Sequence, residues 1–123
     1  MNWIDDTLHD FGRALGIAGL RLNDSAVASL VFERRGALFI ERATDVVLVY
    51  LARQTPSHDS ARLERALGIT HYREGHPLPI HAGLLGDDTL VFLARLEERA
   101  FSLPVLERTV ELLSELHDRV ATP

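Results

Sequence analysis

Three apolar runs separated by very short breaks, all between Ala28 and Arg53, restrict this chain more than any other feature. The runs are Ser29–Phe32, Ala37–Ile40 and Val46–Ala52, interrupted by Arg35-Gly36 and by Ala43-Thr44-Asp45. Segments rich in Val, Leu, Phe and Ile between turn residues read as strands. A parallel crossover needs about a dozen residues or more, so these breaks impose an antiparallel meander. The third run is apolar at every position, which predicts a strand covered on both faces or central in its sheet. Such a sheet must be covered by the chain's own helices, by a second subunit or by a bound chain.

Flanking segments supply part of that cover. Ile4, Leu8, Phe11 and Leu15 recur at helical spacing and predict an amphipathic helix over residues 3–15, with Asp5 and Asp6 in its first turn and Gly16 at its end. Trp3 stands beside that stripe, either at the edge of the core or as a partner contact. Ser57 is a candidate cap for a short second helix from Asp59 to Leu67, stopped by Gly68. Residues 70–79 are polar and interrupted by Gly75, Pro77 and Pro79, and read as a loop. Ile80–Leu85 and Thr89–Leu96 form a hairpin around Gly86-Asp87-Asp88. Its second strand carries Leu90, Phe92, Ala94 and Leu96 on one face and Val91 and Leu93 on the other. Ser102 and Pro104 open a long final helix whose stripe is Leu106, Val110, Leu113, His117 and Val120.

The resulting order, α-β-β-β-α-β-β-α, predicts one α+β domain over residues 1–123, an antiparallel twisted sheet with flanking helices. Three helices cannot cover both faces of the two-faced strands. A homodimer is therefore expected, with Leu63, Leu67, Leu90, Val91, Phe92 and Leu93 as candidate interface residues.

Composition narrows the function by exclusion. The formal net charge of -5 disfavours nucleic acid and anionic membrane as partners. Cysteine is absent, which removes disulfides and thiolate metal sites. The opening MNWIDDTLHDF has acids where a secretory signal has bases, and no run approaches the roughly 18 apolar residues of a membrane span. A cytoplasmic protein is expected. His71, His76 and His81 are spaced by five, which no helix brings to one face, so no metal site is expected. His117 reads as a core histidine. Neither a phosphate-cradling loop nor a nucleophile–base pair is present, so no enzyme and no cofactor are expected.

The opening helix with Phe11 and Leu15, Gly16-Ile17 leading to Leu20 and Leu22, the meander VFERRGALFIERATDVVLVYLAR and the late LLGDDTLVFLARLEERAFSLPVLERTVELL together carry a resemblance. In these apolar and turn positions the chain resembles the class I chaperones of type III secretion systems, the Tir-chaperone or CesT-like family. The resemblance implies an ATP-independent bacterial homodimer, associated with virulence, that binds the N-terminal segment of a secreted effector in extended form. It implies client contacts on the opening helix and first three strands, for which Leu20, Leu22, Val31, Phe32, Phe39 and Val47 are the candidates. Exposed strand edges and apolar pockets suit that role. The family pattern has a longer second helix, which Gly68 is expected to cut short here. A regulator of the same fold that binds another secretion regulator is the main alternative. A small metabolite-binding domain is a third reading.

Overall fold

The computed structural model describes residues 3–55, 60–70, 79–86 and 88–121. Its elements are α1 (Trp3–Ala14), β1 (Val27–Phe32), β2 (Gly36–Ala43), β3 (Val46–Gln54), α2 (Ser60–Ile69), β4 (Ile80–Leu85), β5 (Thr89–Glu97) and α3 (Leu103–Ala121), with a single 3-10 turn at Glu98–Ala100 between β5 and α3. The five strands form one sheet in the order β1-β2-β3-β5-β4, every neighbouring pair antiparallel. This is the α+β architecture that the element order predicts.

Side-chain alternation divides the sheet into two unlike faces. One cross-strand row runs Leu30, Leu38, Leu51, Phe92, and the next runs Ala28, Ile40, Val49, Ala94, Ile80. All nine are buried, together with Val47 and Leu96. α3 packs on β3 and β5, α1 and α2 pack on α3, and α2 also touches β4. Ile4, Leu8 and Phe11 of α1 and the whole predicted stripe of α3 enter this core. Each fully buried Leu or Phe contributes roughly 1.5–3 kcal/mol. The second face has no helix on it among the described residues. β3 is central, as one of its two readings had it, yet only one of its faces is covered.

Local chemistry fixes the ends of the elements. α1 stops one residue earlier than its stripe predicts. Gly16 takes φ +80°, and the Ile17 and Gly16 amides donate to Gly12 O and Arg13 O at 2.7 and 3.0 Å, a paired closure that leaves Leu15 42% exposed beyond the helix. Gly68 does not stop α2. The helix continues to Ile69, which packs against the core, and Thr70 Oγ1 donates to Ala66 O at 3.0 Å. Burying Ile69 offsets the roughly 1 kcal/mol that a helical glycine costs. The expected cap Ser57 and the loop at 71–78 lie outside the described residues. Ser102 opens α3 as expected, its Oγ accepting from the Val105 amide at 3.4 Å. Arg65 ties α2 to the end of α3 by two hydrogen bonds to Val120 O, at 2.6 and 2.9 Å.

Candidate partner-binding surfaces

The uncovered face of the sheet is apolar across most of its width. Small side chains form a cross-strand trough of Ala37, Ala52, Val91 and Gly83, and beside it runs a ridge of Phe39, Tyr50, Leu93 and His81. Phe39 and Tyr50 stack with ring centroids 5.1 Å apart and planes inclined by 17°. The ridge, the Ala52–Val91–Gly83 part of the trough, and Leu84 and Leu85 bound a cleft of about 530 Å³. Leu85 is 65% exposed and Val31, further along the trough on β1, is 80% exposed. Partial burial, and secondarily the charge of Glu41, push the Tyr50 hydroxyl above its ordinary pKa, so this face carries no phenolate at neutral pH. A face of this kind buries apolar side chains of a partner and offers almost no chemistry of its own.

Two further concavities border the sheet. The first, about 500 Å³, lies between α1 and the loop behind it, where Asp5, Asp6, His9, Gly19, Leu20 and Arg21 meet. Its wall is held by Asp5 Oδ1, which accepts from the Leu22 amide at 3.1 Å. The second, about 950 Å³, opens where β3 begins and β5 ends, beside Trp3, Asp45, Arg95 and Glu97. It meets the sheet-face cleft at His81, which lines both. Trp3 is 43% exposed and tilts against Phe101 at 5.9 Å, so it seals the core edge with one side of its ring and faces outward with the other. Glu98 pairs with Arg42, locking the 3-10 turn to β2.

The residues expected to contact partners do not form one patch. Val31 and Phe39 lie on the uncovered face, and Phe32 sits half-buried at the end of β1. Leu20 and Leu22 belong to the α1 side, Leu20 buried but lining its cleft and Leu22 packed on the core. Val47 is 0% exposed beneath the helices and drops out as a client contact. Among the candidate interface residues, Val91 and Leu93 face outward, Leu67 is 52% exposed and Leu63 is half-buried. Leu90 and Phe92 are core residues at 1% and 0% exposure, because strand alternation points them at α3 rather than away from it. Tyr50, Val46, Leu48 and Leu85 were not anticipated on the open face. Alternation counted outward from Val91 and Leu93 would have located Leu85, and register would have added Tyr50.

Other chemistry is sparse. Among the described residues, no three His, Cys, Asp or Glu side chains come together in a metal-binding group, and no helix is long and apolar enough to cross a membrane. His117 is the one deeply buried imidazole described. Its ring meets Phe92 edge-on at 4.7 Å, and Nε2 lies 2.8 Å from Leu51 O, which makes that nitrogen the donor. Burial lowers its pKa to about 4, the Arg53 and Arg62 charges adding to that effect while the Leu51 hydrogen bond and Asp118 oppose it. It is a neutral core group, as its place in the α3 stripe predicts.

Comparison with known proteins decides the family. Residues 3–121 match the sequence family described as type III secretory system chaperone SycN. The chain belongs to this family of type III secretion chaperones. It is 30% identical to the chaperone protein SycN of Yersinia enterocolitica over 124 aligned positions, covering the whole of both chains, and equally so to SycN of Yersinia pseudotuberculosis. The fold is shared with several solved structures. The ExsC–ExsE complex aligns with a TM-score of 0.77 at 18% identity, covering 94% of this chain and 88% of the other. The Yersinia pestis chaperone SycH, solved with a fragment of YscM2, aligns at 0.68 with 18% identity over 97% and 98% of the two chains. The ExoU–SpcU complex of Pseudomonas aeruginosa gives 0.65 at 22% identity, over 95% and 93%. Type III secretion chaperones are not an enzyme class.

Proposed function

We propose that this protein acts in the bacterial cytoplasm as a homodimeric, ATP-independent chaperone of the class I, CesT-like kind. It binds the N-terminal segment of a secreted effector and keeps that effector stable and competent for secretion. The observation that carries the reading is the open face of the sheet, with Val31, Phe39, Tyr50, Val91, Leu93 and Leu85 turned away from every helix described. A monomer that left this surface bare would be prone to association. The β5–β4 half, next to exposed Leu67 of α2, supports pairing with a second copy through Val91, Leu93, Leu67 and Leu63. Val31, Phe32 and Phe39 on the β1–β2 half, with Leu20 and Leu22 beside α1, support contact with an extended client. Edge strand β1, whose outer side is bonded to Asn23 at Val27, offers its remaining outward backbone groups for strand addition. The relatives solved as complexes, HopA1 with SchA among them, support an effector as the partner class.

Affinity capture of the tagged protein from its native bacterium, with the bound chain identified, tests this. The expected partner is a secreted polypeptide whose capture is lost when its N-terminal segment is deleted. A partner that is retained without that segment, or one that is never secreted, overturns the effector reading and favours a regulator.

A further inference from the structure

The turn of the β1–β2 hairpin, on which the proposed client surface depends, is tied to α3 through the side chain of Arg53. β1 is an edge strand whose only strand partner is β2; Ala28 and Leu30 are buried, and Phe32 at its end is half-buried against the core. Glu33, Arg34 and Arg35 at the turn are all exposed. Burial therefore reaches this end only through Phe32 and does not fix the turn residues themselves. Arg53 reaches it from β3. Its Nε donates to Arg35 O at 2.6 Å, one terminal nitrogen donates to Asp118 at 2.7 Å, and the other donates to Ser114 Oγ at 3.0 Å. One guanidinium thus bonds the hairpin turn on one side and the last turns of α3 on the other. Gly36 brings the hairpin close enough for this. It takes φ +113°, and a Cβ there would stand 2.2 Å from Ala52 O and 2.9 Å from Arg53 Cγ. The Arg35 guanidinium in turn lies 5.7 Å from the centre of the Phe32 ring.

We propose that Arg53 is a positioning residue that clamps the β1–β2 turn to α3 and so holds Val31, Phe32 and the β1 edge ready for the client. Only the planar fork of arginine presents donors toward three separated acceptors at once; a lysine ammonium on a flexible stem cannot hold all three. Without the clamp, a hairpin end with an exposed turn and only the half-buried Phe32 to hold it opens locally while the core stays closed. A client that binds only the closed hairpin then meets a fractionally populated site, and its apparent Kd rises in inverse proportion to that fraction. The consequence for binding rests on the proposed function; the clamp itself does not.

Amide hydrogen exchange on free wild type, Arg53→Lys and Asp118→Asn tests it. Asp118 has a 70% exposed side chain, and Asp118→Asn keeps an acceptor oxygen but takes the charge out of one strut, weakening it at little cost to global stability. Expected is exchange faster by about tenfold or more at the paired amides of Phe32 and Gly36 in Arg53→Lys, less in Asp118→Asn, with core β3 and β5 amides unmoved. The N-terminal segment of the secreted polypeptide identified by capture should bind Arg53→Lys about fivefold or more weakly. Unchanged hairpin exchange overturns the clamp. Acceleration spread evenly over all core amides overturns it too, because Arg53 would then be a general stabiliser. Fast hairpin exchange with wild-type affinity overturns the positioning role. Should capture yield no secreted partner, the proposed function fails while the exchange data still decide the clamp.

Discussion

Acidification should destabilise this protein through one residue, His117. Burial holds the folded-state pKa at about 4, against an ordinary value of 6.5 that the unfolded chain retains. The unfolded state therefore binds the proton more tightly. The stabilising contribution is fully present above about pH 6.5 and is lost as pH falls through the window down to about 4. The whole gap corresponds to roughly 3 kcal/mol, of which about 2.5 kcal/mol is gone at about pH 4.5. That is a large share of the roughly 5–15 kcal/mol that holds a domain folded. The cost comes first from stripping water from a buried cation, with repulsion by Arg53 and Arg62 adding to it. Carboxylates titrate in the same range, so wild type must be compared with a non-titrating variant. His117→Gln can still donate to Leu51 O but cannot charge. Urea unfolding at fixed protein concentration between about pH 7.5 and 4.5 should show the two stability profiles converging by about 2 kcal/mol as pH falls. Profiles that stay parallel would refute the reasoning, as would an imidazole resonance of folded wild type titrating near its ordinary value.

Three further tests separate core from surface. Phe39→Ser and Val31→Ser should leave the urea midpoint nearly unchanged and weaken client binding by about 1 kcal/mol or more, whereas Val47→Ser should cost roughly 1–3 kcal/mol or more of stability; three unfolded variants, or three that bind normally, would move the client surface elsewhere. Light scattering at low micromolar concentration should give twice 13.7 kDa, and a clean monomer sinks the dimer. Ala26 sits at φ +61°, a conformation that costs a non-glycine residue roughly 1 kcal/mol, so Ala26→Gly should be neutral or stabilising while Gly36→Ala loses several kcal/mol to the clash with Ala52 O; thermal melting that reverses this order would refute both backbone readings.

Much of the fold was legible in one dimension because it rests on local signals. The period-two and period-3.6 patterns located five strands and three helices, and the short turns forced the meander. The two-faced character of β5 was likewise plain from TLVFLARL. Which of its faces would lie open was not. Leu90 and Phe92 are as apolar as Val91 and Leu93, and only the side on which α3 docks makes the first pair core and the second pair surface. Val47 left the client set for the same reason. Gly68 read as a stop because intrinsic propensity is local, while the burial of Ile69 that carries α2 past it is tertiary. Arg53 carried no signal at all: its three acceptors stand on Arg35, Ser114 and Asp118, up to 65 residues away, and meet only once β3 lies between the hairpin turn and α3. Periodicity determines which residues can share a face. Packing alone decides which face remains open to a partner.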